Sequence, residues 1–351
     1  MGLRLQRGIE ALWYPASPAA RILTLPLVLL LLPATGAYAV IMWIRRGLYR
    51  LGWLRTHRLG VPVVVVGNVT VGGTGKTPVV AWLVDLCRQA GLQAGIVSRG
   101  YGGVPHATPR LIGANDSAND VGDEPLLLHR LTGMPVCVCV DRVEAGRRLV
   151  AEGVDIVIAD DGLQHHRLGR DVEVAVVDGM RRFGNGLLLP AGPLREPTGR
   201  LRSVDLVLAN GGHAGAGEQR FATRISGLGS LDGGATVPLS ALRGQTVRVV
   251  AGIGNPARFH GQLAAAGITV QPVAVADHGA VDLPALVLAG VTPVVMTAKD
   301  AVKYPAALVD GARCPIWVAQ LAVDMPEVVR VRMLAELKRL VGVAVDLEGQ
   351  P

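Results

Sequence analysis

A chain of 351 residues exceeds the roughly 100 to 200 residues of a typical domain, so its length predicts two globular units. Half of the residues are hydrophobic and 18% are charged, a composition that excludes a disordered chain and indicates contact with a membrane. The formal net charge of +7 favours acidic partners such as phosphates or anionic lipids. The aromatic content of 4% and the lack of a Cys/His finger argue against nucleic acid. The spacing of Cys87, Cys137, Cys139 and Cys314 predicts buried thiols in a reducing compartment.

The first predicted element is an apolar segment from Ile22 to Ile44 that contains no charged residue. Its length suffices for a helix that crosses a hydrocarbon core of about 30 Å. Pro26 and Pro33 each remove a backbone donor, so a bent, half-inserted anchor competes with a true crossing. A cleavable signal peptide would be shorter, would begin earlier and would end in a small-residue cleavage site.

A basic block follows the apolar segment. It contains Arg45, Arg46, Arg50, Arg55 and Arg58. Arginines next to a membrane segment favour the anionic cytoplasmic leaflet. The residues from Gly60 onward are therefore expected to lie in the cytosol.

A strand, a glycine loop and a helix are predicted between residues 61 and 87. The nearly pure valine run from Val61 to Val66 is typical of a strand that is buried on both faces of a parallel sheet. Apolar residues from Pro78 to Cys87 fit one face of a helix. The loop between them, Thr70-Val-Gly-Gly-Thr-Gly-Lys-Thr77, has Thr70 where the general P-loop motif has its first glycine. A glycine-rich turn without a ligand is the alternative, and the flanking strand and helix favour the P-loop.

The P-loop assignment gives these residues specific roles. Backbone amides of the loop would face phosphates, Lys76 would contact the β and γ phosphates, and Thr77 would offer its hydroxyl to Mg²⁺. The predicted nucleotide-binding residues are Thr70, Val71, Gly72, Gly73, Thr74, Gly75, Lys76 and Thr77.

Two pairs of adjacent acidic residues are candidates for the chemistry. Asp160 and Asp161 follow the predicted strand at residues 154–159, the position at which P-loop enzymes hold a partner for Mg²⁺. Two adjacent acids are costly to bury unless a cation or several donors face them, and a solvated turn is the alternative. Asp123 and Glu124 open a predicted helix, where acids often serve only as caps. In a phosphotransferase this second pair could also accept a proton and complete a metal shell.

The second half of the chain shows a new alternation of strands and helices. After a predicted strand at 204–208, residues 210–217 and 227–235 are interpreted as loops or a link. The later predicted elements are strands at 247–251, 268–273 and 291–297 and helices at 256–266 and 325–340. This order argues for a second α/β layer structure. The segment from Gly252 to Ala257 is interpreted as a sharp strand-to-helix turn and not as a dinucleotide site, because Pro256 changes the turn.

Eight short strings match one known family over most of the chain. They are residues 67–78, 98–103, 122–125, 160–165, 189–197, 251–256, 277–278 and 297–300. Together they resemble the tetraacyldisaccharide 4'-kinases, and in that family a threonine at the position of Thr70 is a regular feature.

The resemblance implies an α/β fold with three parts. These are an N-terminal membrane anchor and basic segment at residues 1–59, a P-loop NTPase-type parallel sheet domain at 60–225, and a smaller α/β domain at 226–351 that closes over the active site. The implied activity transfers the γ-phosphate of ATP, with Mg²⁺, to the 4'-hydroxyl of an acylated glucosamine disaccharide 1-phosphate. The implied location is the cytoplasmic face of the bacterial inner membrane, with membrane lipids around the N-terminal helix.

The resemblance also implies roles for single residues. The implied catalytic residues are Lys76, Asp123 and His278. Asp123 looks like the base for the acceptor hydroxyl, and His278 looks like the residue that orients or assists it. Thr77, Glu124 and Asp160 resemble partners of Mg²⁺. Contacts to the acceptor, to phosphate groups or to neighbouring site residues are expected from Arg99, Asp161, Gln164, His165 and Arg195.

Two other functions fit parts of the sequence. A P-loop GTPase or ATPase that acts as a switch or metallochaperone would share the strand, loop and helix. A guanine reader needs Asn-Lys-x-Asp, whereas Asn210 is followed by two glycines and Lys299 directly precedes Asp300. A noncatalytic membrane adaptor would explain the anchor but not two acidic pairs beside an intact Gly-Lys-Thr.

Overall fold

The computed structural model describes residues 3–275, 279–288 and 290–342. The helices are α1 Leu3–Trp13, α2 Pro18–Arg50, α3 Lys76–Gln89, α4 Ala118–Val121, α5 Asp123–Thr132, α6 Arg142–Ala151, α7 Pro256–Ala265, α8 Leu283–Leu288, α9 Ala298–Ala301 and α10 Glu327–Val341. The strands are β1 Val63–Gly67, β2 Ala94–Ser98, β3 Arg110–Leu111, β4 Val136–Val138, β5 Ile156–Asp160, β6 Val172–Asp178, β7 Leu206–Asn210, β8 Gln219–Ser230, β9 Thr236–Val237, β10 Thr246–Val250, β11 Thr269–Val273, β12 Val294–Thr297 and β13 Ile316–Asp324. The predicted site residue His278 lies outside the described residues.

The N-terminal apolar segment is a single helix. Helix α2 continues through Pro26 and Pro33 for 33 residues, which corresponds to about 50 Å at 1.5 Å per residue. Its most apolar window has a mean hydropathy of 2.2 and is only 6% buried, so its length and composition suffice to cross a membrane. Large apolar side chains such as Leu23 and Trp43 are exposed on it. A core helix of a soluble protein would bury such residues, so this exposure indicates association with a membrane.

The described strands form one mixed sheet. Its order is β11-β10-β12-β13-β8-β7-β6-β1-β5-β2-β4-β3, with β9 paired to β8. The central strands β1, β5 and β6 pair in parallel and are almost completely buried, as their valine-rich sequences predict. This parallel pairing confirms the predicted P-loop-type parallel sheet.

The four cysteines are buried and unbridged, as predicted.

Strand β8 joins the two halves of the sheet. Its first residues pair in parallel with β7, and its later residues, from Ala222 to Ser230, pair antiparallel with β13. The predicted loop at 227–235 is therefore wrong for residues 227–230. Their glycines and serine suggested a loop, but pairing with a neighbouring strand outweighs such local preferences. The predicted boundary at 225/226 falls inside β8, and the division into two domains stays a prediction.

The predicted strand–helix alternation of the second half is present. Strands β10, β11 and β12 are parallel, and α7 follows the turn after β10. Asn255 caps α7 by accepting a hydrogen bond from the amide of Arg258, and Pro256 occupies the first turn of the helix. Residues 252–254 are thus a strand-to-helix turn, as predicted.

Candidate active site

The glycine loop connects the buried strand β1 to α3. Gly72 and Gly75 have φ values of 101° and 98°, which lie in the left-handed region. A Cβ on Gly75 would lie 2.2 Å from Nδ2 of Asn210, whose amide donates a hydrogen bond to the carbonyl of Thr74 at 3.0 Å. Gly75 is also the N-cap of α3 and brings no side chain to the helix terminus. The first amides of α3 can therefore receive a phosphate.

Two distant segments hold this loop in place. The amide of Val71 donates to the carbonyl of Pro193 at 2.8 Å, and Thr70 forms a bridge with Leu194. On the other side a Cβ on Gly254 would lie 2.3 Å from the amide nitrogen of Gly73, so the two backbones are in direct contact. The predicted phosphate loop thus lies between residues 189–197 and the turn after β10.

The pair Asp160–Asp161 lies beside the loop at the carboxyl end of β5. Val66 of β1 is in register with Asp160, whose side chain is buried and whose Oδ1 has no hydrogen-bond partner among the described residues. Burial, together with the charge of Glu124, raises the pKa of Asp160. This arrangement is expected where a cation normally faces the carboxylate.

Asp161 is surrounded by cations. Its Oδ1 lies 3.4 Å from Nζ of Lys76, and Arg195 donates from Nη1 to both carboxylate oxygens at 3.0 and 2.9 Å. Burial alone would raise the pKa of Asp161, but Lys76 and Arg195 outweigh it and lower the pKa overall. The solvated turn that was the alternative for this pair is therefore wrong.

Arg142 contacts the same pair, although nothing in the sequence predicted it as a site residue. Its side chain is buried and donates from Nη2 to the carbonyl oxygens of Asp160 and Asp161 at 3.3 and 3.0 Å. Arg142 stands directly after Asp141, the N-cap of α6, and no local pattern distinguishes it from an ordinary helical arginine.

The residues near Asp160 fit a hard divalent cation. The candidates are Thr77, the second residue of α3, and the carboxylates of Asp160 and Glu124. All three supply oxygen ligands. Oδ1 of Asp160, which has no hydrogen-bond partner among the described residues, could bind a cation. The described part of the chain holds no group of three or more His, Cys, Asp or Glu side chains placed for a metal. Mg²⁺ in P-loop enzymes commonly takes one or two protein ligands and completes its shell with phosphate oxygens and water.

The pair Asp123–Glu124 opens α5, as predicted. Asp123 is 4% exposed, and one of its oxygens accepts the amide of Glu124 at 2.8 Å. The other oxygen lies 3.7 Å from Nζ of Lys303, and Oε1 of Glu124 lies 3.0 Å from Nζ of Lys299. The acids therefore do more than cap the helix, because Lys299 of α9 and Lys303, two residues beyond the end of α9, reach them.

The two lysines were not predicted as site residues. A compositional signal could have found them: only four of the 35 basic residues are lysines, namely Lys76, Lys299, Lys303 and Lys338. Three of these four lie against the two acidic pairs.

The remaining predicted site residues differ in their surroundings. Gln164 donates to the carbonyl of Asn68 at 3.0 Å and to Oε1 of Glu196 at 2.7 Å, so it links the start of the loop to residues 189–197. Burial, aided by Arg142, lowers the pKa of His165 to about 4, which keeps this imidazole neutral at neutral pH. Arg99 is exposed directly after β2. The structure thus brings Asp161, Gln164 and Arg195 to the loop and leaves Arg99 in solvent.

A phosphate loop at the end of a central parallel strand, faced by carboxylates that themselves face lysines, defines a P-loop phosphotransferase. The sequence model of the family described as LpxK, tetraacyldisaccharide-1-P 4'-kinase, matches residues 27–338. The chain belongs to this family.

Individual relatives agree with the family match. The tetraacyldisaccharide 4'-kinase of Nitrosococcus oceani is 41% identical over 337 residues, which cover 96% of each chain. That of Aeromonas salmonicida is 44% identical over 338 residues and covers 95% of this chain and 97% of its own. The crystal structure of LpxK from Aquifex aeolicus in complex with ATP superposes with a TM-score of 0.72 at 27% identity, over 89% of this chain and 99% of that one. The predicted family and fold are confirmed, and the switch, metallochaperone and adaptor alternatives are not favoured.

Proposed function

We propose that this protein is an ATP-dependent kinase that transfers the γ-phosphate to the 4'-hydroxyl of tetraacyldisaccharide 1-phosphate in lipid A biosynthesis. Family membership supports the reaction. The observation that carries the assignment is the convergence of both acidic pairs on the phosphate loop. Lys76 contacts Asp161, and Glu124 of the other pair lies near enough to Asp160 for its charge to raise the pKa of that carboxyl.

The mechanism follows from positioning and electrostatics. Lys76 and the amides at the start of α3 stabilise the charge that develops on the transferring phosphoryl group. Asp123 accepts the proton of the attacking hydroxyl, and His278 assists it as the family resemblance implies. A bound Mg²⁺ would neutralise phosphate charge, with Thr77, Glu124 and Asp160 as its protein ligands.

Arg195 connects the acidic pair beside the phosphate loop to helix α2. Its guanidinium fixes Asp161 beside Lys76, and its backbone carbonyl accepts a hydrogen bond from the hydroxyl of Tyr38 on α2 at 2.8 Å. The amide of Ala191 donates to Oγ1 of Thr35 on the same helix at 3.2 Å. The helix that carries the exposed apolar surface is therefore attached to the segment that lines the phosphate loop.

This attachment suggests how the lipid reaches the site. We place α2 at the cytoplasmic face of the bacterial inner membrane, with membrane lipids and the acyl chains of the acceptor along its apolar surface. The arginines at its C-terminal end would face anionic headgroups. Gln164 and His165 would border the sugar, and Arg99 would face its phosphate.

Transfer of labelled phosphate to a defined acceptor tests this function. The full-length protein in mixed micelles is incubated with ATP labelled at the γ-phosphate, Mg²⁺ and tetraacyldisaccharide 1-phosphate. We expect ATP consumption to depend on the lipid and NMR of the product to show one new phosphate at the 4'-oxygen. ATP hydrolysis that proceeds equally without the lipid and leaves it unphosphorylated would support the switch alternative instead.

A further inference from the structure

Lys303 lies in a buried cluster next to the Asp123 carboxylate. Its side chain is 9% exposed, and Nζ lies 3.7 Å from Oδ2 of Asp123. Nζ also lies 2.9 Å from Oδ1 of Asp300 and donates to the carbonyl oxygen of Gly279 at 2.7 Å. Three oxygens thus surround one ammonium group, and a buried ammonium is stable only with such partners.

Asp300 fixes this ammonium relative to the phosphate loop. The carboxylate is 1% exposed, and its Oδ2 accepts hydrogen bonds from the amide of Gly252 at 2.9 Å and from Oγ1 of Thr297 at 2.6 Å. Gly252 begins the turn whose last residue, Gly254, contacts the backbone of Gly73. A continuous series of contacts therefore runs from the phosphate loop through Asp300 and Lys303 to Asp123.

The choice of lysine at this position is informative. The chain has four lysines among its 35 basic residues, so arginine is its ordinary cation. A guanidinium is planar and presents a rigid fork of donors, whereas an ammonium is a compact point charge that three separate oxygens can surround. The cluster around Lys303 therefore suits a lysine better than an arginine, although arginine is the more frequent basic residue in this chain.

We propose that Lys303, held by Asp300, is a positioning residue that orients the Asp123 carboxylate toward the acceptor hydroxyl. This inference rests on the proposed function, in which Asp123 accepts the proton. Without the ammonium, Oδ2 of Asp123 loses a fixed cation 3.7 Å away, so the orientation of the carboxylate toward the hydroxyl is less well defined. ATP binds at the loop through Lys76 and backbone amides, which Lys303 does not contact, so turnover and nucleotide affinity should separate.

The test compares steady-state kinetics of the full-length enzyme carrying Lys303→Met, Lys303→Arg or Asp123→Asn. We expect Lys303→Met to lower kcat by about 10- to 100-fold while KM for ATP stays within about twofold of wild type. Lys303→Arg restores the charge and should recover part of the loss. Lys338→Met, in the last turn of α10, is the matched control and should leave kcat and Tm unchanged.

The outcomes separate this inference from the proposed function. A kcat for Lys303→Met within about twofold of wild type, with Asp123→Asn inactive, overturns the positioning role alone. Wild-type turnover in Asp123→Asn overturns the base assignment on which it rests. A parallel loss of kcat and ATP affinity in Lys303→Met would show a merely structural role. If Lys303→Met cannot be purified folded, Lys303→Arg decides: reduced kcat at native Tm and ATP affinity supports the proposal, and unchanged kcat overturns it.

Discussion

The pairs Asp160–Asp161 and Asp123–Glu124 look alike in sequence, but the fold holds them in different ways. The first pair ends a central strand, and its cations come from the same half of the chain. Lys76 belongs to the adjacent phosphate loop. This side of the site is thus built from residues that a buried strand, a loop and a helix place together.

The second pair depends on the other half of the chain. Its cations are Lys299 and Lys303, and the ion pair between Lys299 and Glu124 joins residues 175 positions apart. These lysines lie in the second half of the chain, which contacts the first half directly where Gly254 lies against Gly73. The first pair thus takes its cations from its own half of the chain, whereas the second pair, which we propose to act on the acceptor, takes cations from the other half.

The largest expected effect concerns the support behind the first pair. Arg200 is 4% exposed, donates to Oε1 of Glu173 at 2.5 Å and lies 3.4 Å from Oε2 of Glu196, which in turn accepts from Gln164. Arg200→Met leaves both carboxylates buried without this cation, so the free energy of unfolding should fall by about 3–5 kcal/mol. Urea unfolding measures it, with the exposed Arg202→Met as a control that changes by less than about 0.5 kcal/mol. If the free energy of unfolding of Arg200→Met also changes by less than about 0.5 kcal/mol, this network does not support the pair.

The phosphate loop comes next. Lys76→Met removes the charge that lies against Asp161 and that we propose to contact the phosphates, so kcat should fall by about 10²- to 10³-fold and ATP affinity should weaken. Assays of transfer and of ATP binding check this, with Lys338→Met as the control. Retained turnover would contradict the assignment of the loop.

The contact between the halves should matter less. Gly254→Ala places a Cβ about where the amide of Gly73 lies, so the turn must move away from the loop. We expect KM for ATP to rise by about tenfold, because small displacements of positioning groups are costly. Gly261→Ala, within α7 and with open space around the added methyl group, is the control. Equal kinetics for the two variants would show that this contact does not help to place the nucleotide.

The smallest effect concerns helix α2. Tyr38→Phe removes the hydrogen bond from α2 to the carbonyl of Arg195, and one such bond contributes about 0.5–1.5 kcal/mol. We expect a two- to tenfold decrease in kcat/KM for the lipid acceptor and an unchanged KM for ATP. Thr24→Val, whose hydroxyl donates only to carbonyls of α2 itself, should have no effect. If kcat/KM for the lipid and KM for ATP change together, the hydrogen bond supports the whole fold and does not link α2 to acceptor use.

The features that the sequence predicts correctly are local. Valine runs, glycine spacing and helical periodicity identified β1, the loop and α3, and acids at the end of β5 and the start of α5 identified both pairs. Three features escaped prediction because their causes lie far away in the chain. Residues 227–230 form a strand because they pair with β13. Arg142 has the local sequence of an ordinary helical arginine, and only the fold brings it to the end of β5. Lys303 becomes a candidate site residue only because the fold places it beside Asp123.

The central claim is that the Asp123 carboxylate does chemistry on the acceptor while the phosphate loop binds ATP. Asp123→Asn keeps the shape of the side chain and removes its charge. Isothermal titration with ATP and single-turnover phosphate transfer on the same preparation test the claim directly. We predict an ATP affinity within about twofold of wild type and a transfer rate lowered by about 10²- to 10⁴-fold. A transfer rate close to that of the wild type, or a loss of ATP binding as large as the loss of transfer, would contradict it.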